Sequence, residues 1–98
     1  MPGREIRVAF RGLPSEAEDG PDERVALVAA GTTVLGLLEK LAKEAGGKAA
    51  RVLDPERGSL RPEFLLTLNG RFLEKRLFAT TVLQEKDVVE VFPVPSGG

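Results

Sequence analysis

The sequence predicts an α+β fold, with one main helix packed on a mixed sheet of four or five strands. Three observations carry that expectation. A run of period two opens the chain, a run of period 3.6 follows at 31–47, and further β-like segments close it around an Asn-Gly turn. With 98 residues, 42% of them apolar and 30% charged, the chain can build one core and not two.

From Glu5 to Leu13 the side chains alternate, Ile6, Val8 and Phe10 on one face and Arg7, Ala9 and Arg11 on the other. That is the period of a half-buried strand. The stretch PSEAEDGPDE (14–23) is acidic and rich in Pro and Gly, and reads as a solvated connection. A second strand resumes from Arg24 to Ala30 around Val25, Leu27 and Val28, which pairs the two as an antiparallel hairpin. In GTTVLGLLEKLAKEAGG (31–47), Val34, Leu37, Leu38, Leu41 and Ala45 form one apolar stripe, predicting a helix over 33–45. Thr32 or Thr33 can cap its start, and Gly46 and Gly47 supply a left-handed stop. Gly36 lies inside the helix at a cost of about 1 kcal/mol relative to Ala, consistent with close packing on the sheet.

Lys48 to Leu53 reads as a further helical turn, and DPERGSLRP (54–62) as loop. Phe64 to Leu68 is a strand, Asn69-Gly70 a tight turn, and Arg71 to Leu73 the return. After an irregular KRLFATTVL, the segment QEKD (84–87) turns into a last strand, Val88 to Phe92. The order is β-β-α-β-β in two layers. Pairing the last strand with the first in mid-sheet is the simplest packing solution, and the arrangement is a β-grasp. The domain is expected to span 1–92, with 93–98 as a C-terminal tail.

The missing residue types exclude much chemistry. Without Cys or His there are no thiol nucleophiles, disulfides, imidazole bases or common zinc ligands. Ser15, Ser59 and Ser96 sit in expected loops with no His to activate them, so a self-contained enzyme is not expected. A formal net charge of −1 gives no reason to expect nucleic acid or an anionic membrane as partner. No apolar run approaches a membrane span and MPGREIRV lacks the apolar core of a signal peptide, which points to the cytoplasm. AGGKAA (45–50) lacks the leading Gly and the Ser or Thr of a phosphate loop, and follows a helix. The acids Glu16, Glu18, Asp19, Asp22 and Glu23 lack EF-hand spacing. Phe10, Phe64, Phe72, Phe78 and Phe92 fit core or protein interface better than base stacking. No bound cofactor and no metal are expected.

The end of the chain, EKDVVEVFPV followed by PSGG, together with the β-grasp order, resembles the MoaD/ThiS family of ubiquitin-like sulfur carriers. Members commonly close with a Gly-Asp turn, a short apolar strand, a Pro-Val segment and a final Gly-Gly. Here Lys86 stands where the family's turn has Gly, and Asn69 matches the family's Asn in the hairpin after the third strand. The resemblance covers nearly the whole chain and implies molybdopterin biosynthesis most simply, with thiamin, cysteine and tRNA thiolation as pathways of related members; the DPERG insertion is similar to longer, MoaD-like members, which makes thiamin the least apt of these.

The resemblance implies that the C-terminal carboxylate of Gly98, behind Gly97, is the working group. A separate ATP-using adenylyltransferase of the ubiquitin-activating type would adenylate it, and sulfur would displace AMP to give a thiocarboxylate. A molybdopterin synthase large subunit or another acceptor enzyme would then take the sulfur. The resemblance also implies a docking patch of Phe92, Pro93, Phe72 and Arg11 beside the tail. Physical reasoning agrees with a deliverable end: residues 93–98 reach about 20 Å extended, two prolines restrict their conformers, and glycines thread a channel that a Cβ would block. Two other readings stay open, a protein modifier joined through Gly98 to target lysines and a plain interaction module.

Overall fold

The computed structural model describes residues 3–12, 23–44, 52–54 and 59–94. Strands β1 (Arg4–Phe10) and β2 (Glu23–Val28) are followed by helix α1 (Val34–Glu44). Two short strands, β3 (Leu53–Asp54) and β4 (Ser59–Leu60), precede β5 (Phe64–Leu68), β6 (Arg71–Leu73), a 3-10 turn at Lys75–Leu77, and β7 (Val88–Pro93). The main sheet has the order β2-β1-β7-β5-β6. β7 runs parallel to β1 and antiparallel to β5, so the last strand fills the centre, as a β-grasp requires.

Alternation sorts the residues of every strand onto one of two faces. Ile6, Val8 and Phe10 of β1, Leu66 of β5, and Val89 and Val91 of β7 point into one core. Against them lies α1, whose Val34, Leu37, Leu38 and Leu41 are all essentially inaccessible to solvent. Burying each of these contributes roughly 1.5–3 kcal/mol. Thr33 is the N-cap: its Oγ1 accepts the Gly36 N–H at 3.1 Å. A Cβ on Gly36 would lie 3.2 Å from Thr32 Cγ2 and 3.5 Å from Thr33 Oγ1. The tight neighbour is thus the Thr32 methyl just before the cap, and no sheet atom lies within 4 Å, so the expected close approach to the sheet is not its reason. The stop at Gly46-Gly47 and the end of the stripe at Ala45 lie outside the described residues.

Three segments differ from expectation. Between Arg24 and Ala30 the inward residues are Ala26 and Val28, while Val25 and Leu27 are 57% and 64% exposed. The register of β1 with β2 pairs Arg7 with Val25 and Glu5 with Leu27, which places both on the open face. Within 54–62, Asp54 and Ser59–Leu60 are not loop, since Leu53 pairs with Leu60 and Asp54 with Ser59. Of the helical turn expected over 48–53, Val52 is helical, Leu53 is in a strand, and 48–51 lie outside the described residues. The irregular segment after β6 is also structural, since Phe78 and Leu83 are core.

The two turns at the start of β7 form one network. Asn69 and Gly70 both have positive φ, 53° and 84°, as a two-residue hairpin between twisted strands demands. Asn69 Oδ1 accepts the Val88 N–H at 2.8 Å, and Asn69 Nδ2 donates to Asp87 Oδ1 at 2.9 Å. The other Asp87 oxygen accepts the Gln84 N–H at 2.7 Å. Lys86 has φ 72°, in the left-handed region, where the family's turn carries Gly. It is tied to β1 twice, its N–H to the Glu5 carbonyl at 2.9 Å and its Nζ to Glu5 Oε2 at 2.8 Å.

Candidate functional site: the end of the central strand and the open sheet face

β7 runs one residue beyond the expected Val88–Phe92, because pairing with β5 continues to Phe64 opposite Pro93. The Val94 N–H then donates to the Glu63 carbonyl at 2.7 Å. On the other flank the Arg11 N–H donates to the Val91 carbonyl at 2.8 Å, and among the described residues the bonding on the β1 side goes no further. Proline ends it naturally: by alternation the position-93 nitrogen faces β1, and Pro has no N–H to donate. Gly97 and Gly98, with Ser96, lie outside the described residues.

Residues of β7 that do not face α1 lie on the open face of the sheet. Phe92 sits opposite Leu65, and Glu90 opposite Thr67, which in turn faces Phe72 on β6. Phe92 and Phe72 are thus brought to one face but stand diagonally across β5. Phe72 is 63% exposed while Phe92 is half-buried. Around the corner an apolar cleft of about 280 Å³ opens between Leu60, Phe64, Leu65, Phe72, Leu73 and Val94. Val94 itself is 43% exposed. Sequence reasoning missed Leu65, Val94 and this cleft, which exists only because β6 ends at Leu73 while β5 continues.

Arg11 lies on the same face, as expected, but as part of an ion-pair network. Its Nε bonds Glu90 at 3.1 Å and a terminal nitrogen bonds Glu23 at 3.2 Å. The bond to Glu90, helped by the charge of Glu23, raises its pKa further, so it is a fixed cation. Both acids are cross-strand neighbours of Ala9. The guanidinium therefore spans Ala9, which explains why a residue expected on the solvent face is fully buried. Pro93 is exposed, next to Gly12, whose φ is +71°. Of the acidic run, Glu23 alone is described, in this network; Glu16, Glu18, Asp19 and Asp22 lie outside the described residues, as does AGGKAA.

One polar atom on this face stands apart: Thr67 Oγ1 is buried and has no hydrogen-bond partner among the described residues. Among the described residues no group of three or more carboxylates is gathered as a metal site, and no helix is long and apolar enough to cross a membrane.

A last strand that fills the centre of a mixed five-stranded sheet, parallel to the first, with one helix packed across a single face, defines a ubiquitin-like β-grasp protein. The sequence profile of the ThiS family matches residues 8–98, and the chain belongs to that family of small ubiquitin-like sulfur carriers. Among solved structures it is similar to the HVO 2177 protein of Haloferax volcanii, with 28% identity, TM-score 0.69, and coverage of 97% of this chain and 87% of that one. Small archaeal modifier protein 1 of Methanosarcina acetivorans has 19% identity, TM-score 0.70 and 98% coverage of both chains. A putative molybdopterin converting factor subunit 1 from Pyrococcus furiosus has 22% identity, TM-score 0.63, and coverage of 94% and 99%. The last two likenesses establish fold alone. No curated protein matches the sequence.

Proposed function

We propose that this chain is a sulfur carrier that works through the carboxylate of Gly98. The observation that carries the reading is the family match extending to residue 98. A β7 that ends beside an exposed apolar face supports it.

In this scheme the Gly98 carboxylate attacks the α-phosphorus of ATP on a separate ubiquitin-activating-type adenylyltransferase, and pyrophosphate leaves. Hydrosulfide then attacks the acyl carbon and expels AMP, leaving a thiocarboxylate. ATP belongs to the partner, and the carrier holds no cofactor of its own. Phe72, Phe92, Leu65 and Pro93 form the docking face, and Arg11, fixed by Glu90 and Glu23, frames it. The sulfur is passed to an acceptor enzyme, most simply a molybdopterin synthase large subunit, in keeping with the Pyrococcus neighbour of that description.

Intact-mass measurement after incubation with the adenylyltransferase, ATP and sulfide tests the reading. The expected product has one oxygen replaced by sulfur, and a chain lacking Gly97 and Gly98 gains nothing. An equal gain in the shortened chain would refute the assignment of Gly98. A second reading, protein modification through Gly98, is favoured by the likeness to an archaeal modifier. It predicts covalent adducts on target lysines, visible as a ladder in lysate.

A further inference from the structure

The strand order places β7 between β1 and β5, so Pro93 is held from both sides. On the β5 side it faces Phe64, and the next residue is bonded to Glu63. On the β1 side it faces Gly12. A Cβ on Gly12 would stand 3.1 Å from Pro93 Cδ and 3.2 Å from Pro93 Cγ, tighter than ordinary van der Waals contact. The exposed ring would have to give way to such a Cβ, and any shift it passes to β7 bears on the next residue, whose N–H is bonded to the Glu63 carbonyl at 2.7 Å. The position also has φ +71°, which favours glycine independently.

We propose that Gly12 is a positioning residue for the C-terminal tail: it seats the Pro93 ring, so that β7 stays paired through Val94 and the tail departs in one direction. The reacting segment is then 95–98, four residues that reach about 13 Å extended. The proposal rests on the reading of Gly98 as the activated group. Gly12 touches no reacting atom and acts through Pro93.

The test uses Gly12→Asn, because Asn tolerates left-handed backbone and the added Cβ is then the main change. Two readouts are taken on the full chain. The first is ATP–pyrophosphate exchange by the adenylyltransferase at varied carrier concentration. Gly12→Asn is expected to lower kcat/KM about ten- to a hundredfold, the range for an ångström of misplacement. In the Pro93→Ala background, which removes the atoms the Cβ would meet, the same change is expected to cost no more than about threefold. The second readout needs no enzyme: the Val94 amide should exchange with solvent about tenfold faster in Gly12→Asn while the urea midpoint holds. Equal cost in both Pro93 backgrounds, or an unchanged Val94 amide, would overturn the clamp. A chain lacking Gly97 and Gly98 separates the two levels of inference. If it is inert while Gly12→Asn is fully active, the clamp alone fails; if it is active, the Gly98 reading fails and takes the clamp with it.

Discussion

Replacing Asn69 with Gly tests whether the two turns at the head of β7 act as one unit. Glycine keeps the φ of 53° available, so the change removes side-chain bonds without forcing the backbone, as Ala would. Two bonds disappear, the Val88 N–H to Oδ1 at 2.8 Å and Nδ2 to the Asp87 carboxylate at 2.9 Å. The first contributes about 1 kcal/mol, and the second, to a charged but exposed acceptor, about 1–1.5 kcal/mol. The entropy of an added glycine in the unfolded chain and the relief of a left-handed asparagine roughly cancel. The expected loss is about 2 kcal/mol, or roughly 8–16 °C in Tm for a domain of this size. Urea unfolding followed by circular dichroism measures it, with an unchanged slope showing that the denatured state is unaffected. Asp87→Asn in both backgrounds then gives the coupling of the pair. A loss below about 0.5 kcal/mol, with no coupling, would refute the network and leave two independent turns.

Three further outcomes are expected. Phe72→Asp, at a side chain 63% exposed, should shift stability by less than about 0.5 kcal/mol yet weaken adenylyltransferase binding at least about tenfold, measured by titration calorimetry. Phe92→Asp is the less clean probe, being half-buried. Thr67→Val should stabilise the domain by about 1 kcal/mol, since it removes a buried hydroxyl that has no partner among the described residues; a lower melting temperature would show that the hydroxyl is satisfied. The Glu5 carboxyl is held below its ordinary pKa by the hydrogen bond from Lys86, then by its charge. Its contribution is therefore present above the unfolded value near about 4.3 and is lost as pH falls through the lower folded value. The stability gap between wild type and Glu5→Gln should be flat at neutral pH and close on acidification, and a gap that widens in acid contradicts the assignment.

What the sequence discloses depends on how local the cause is. β5, its turn and β6 are legible to the residue, because Asn69-Gly70 demands positive φ and fixes the register on either side. The stripe of α1 is equally plain, since Val34, Leu37, Leu38 and Leu41 at helical spacing are the four residues of the helix that are buried. In β2 the four residues 25–28 are all apolar, so alternation cannot say which pair faces inward; only the pairing with β1 decides for Ala26 and Val28. The β3–β4 hairpin has two residues per strand, too few to show a period. Ala9 is buried by Arg11 reaching across it to two other strands. For the site, Phe72, Phe92 and Arg11 were accessible through the resemblance and alternation, and all lie on the open face. Gly12 was not, because its meaning arises only when Pro93 arrives from 81 positions later (93 − 12).

If Gly98 is the activated group, the proposed carrier role has it follow directly on the central strand of the sheet. β7 is paired on both sides, and its inward Val89 and Val91 are fully buried. Tying the chain down to Val94 instead of Phe92 leaves at most four residues after the last tied one instead of six. For a freely jointed segment the mean spread falls with the square root of length, so the local concentration of its end rises by only about twofold. Such confinement is a small part of the ten- to hundredfold effect of misplacing a reacting group by about an ångström. The value of the seat between Gly12 and Glu63 must therefore lie in direction more than in shortening. The size of the Gly12→Asn effect discriminates between the two: a loss near twofold is confinement alone, whereas a loss of tenfold or more, relieved in the Pro93→Ala background, means that the angle at which the strand hands over its tail is part of the mechanism.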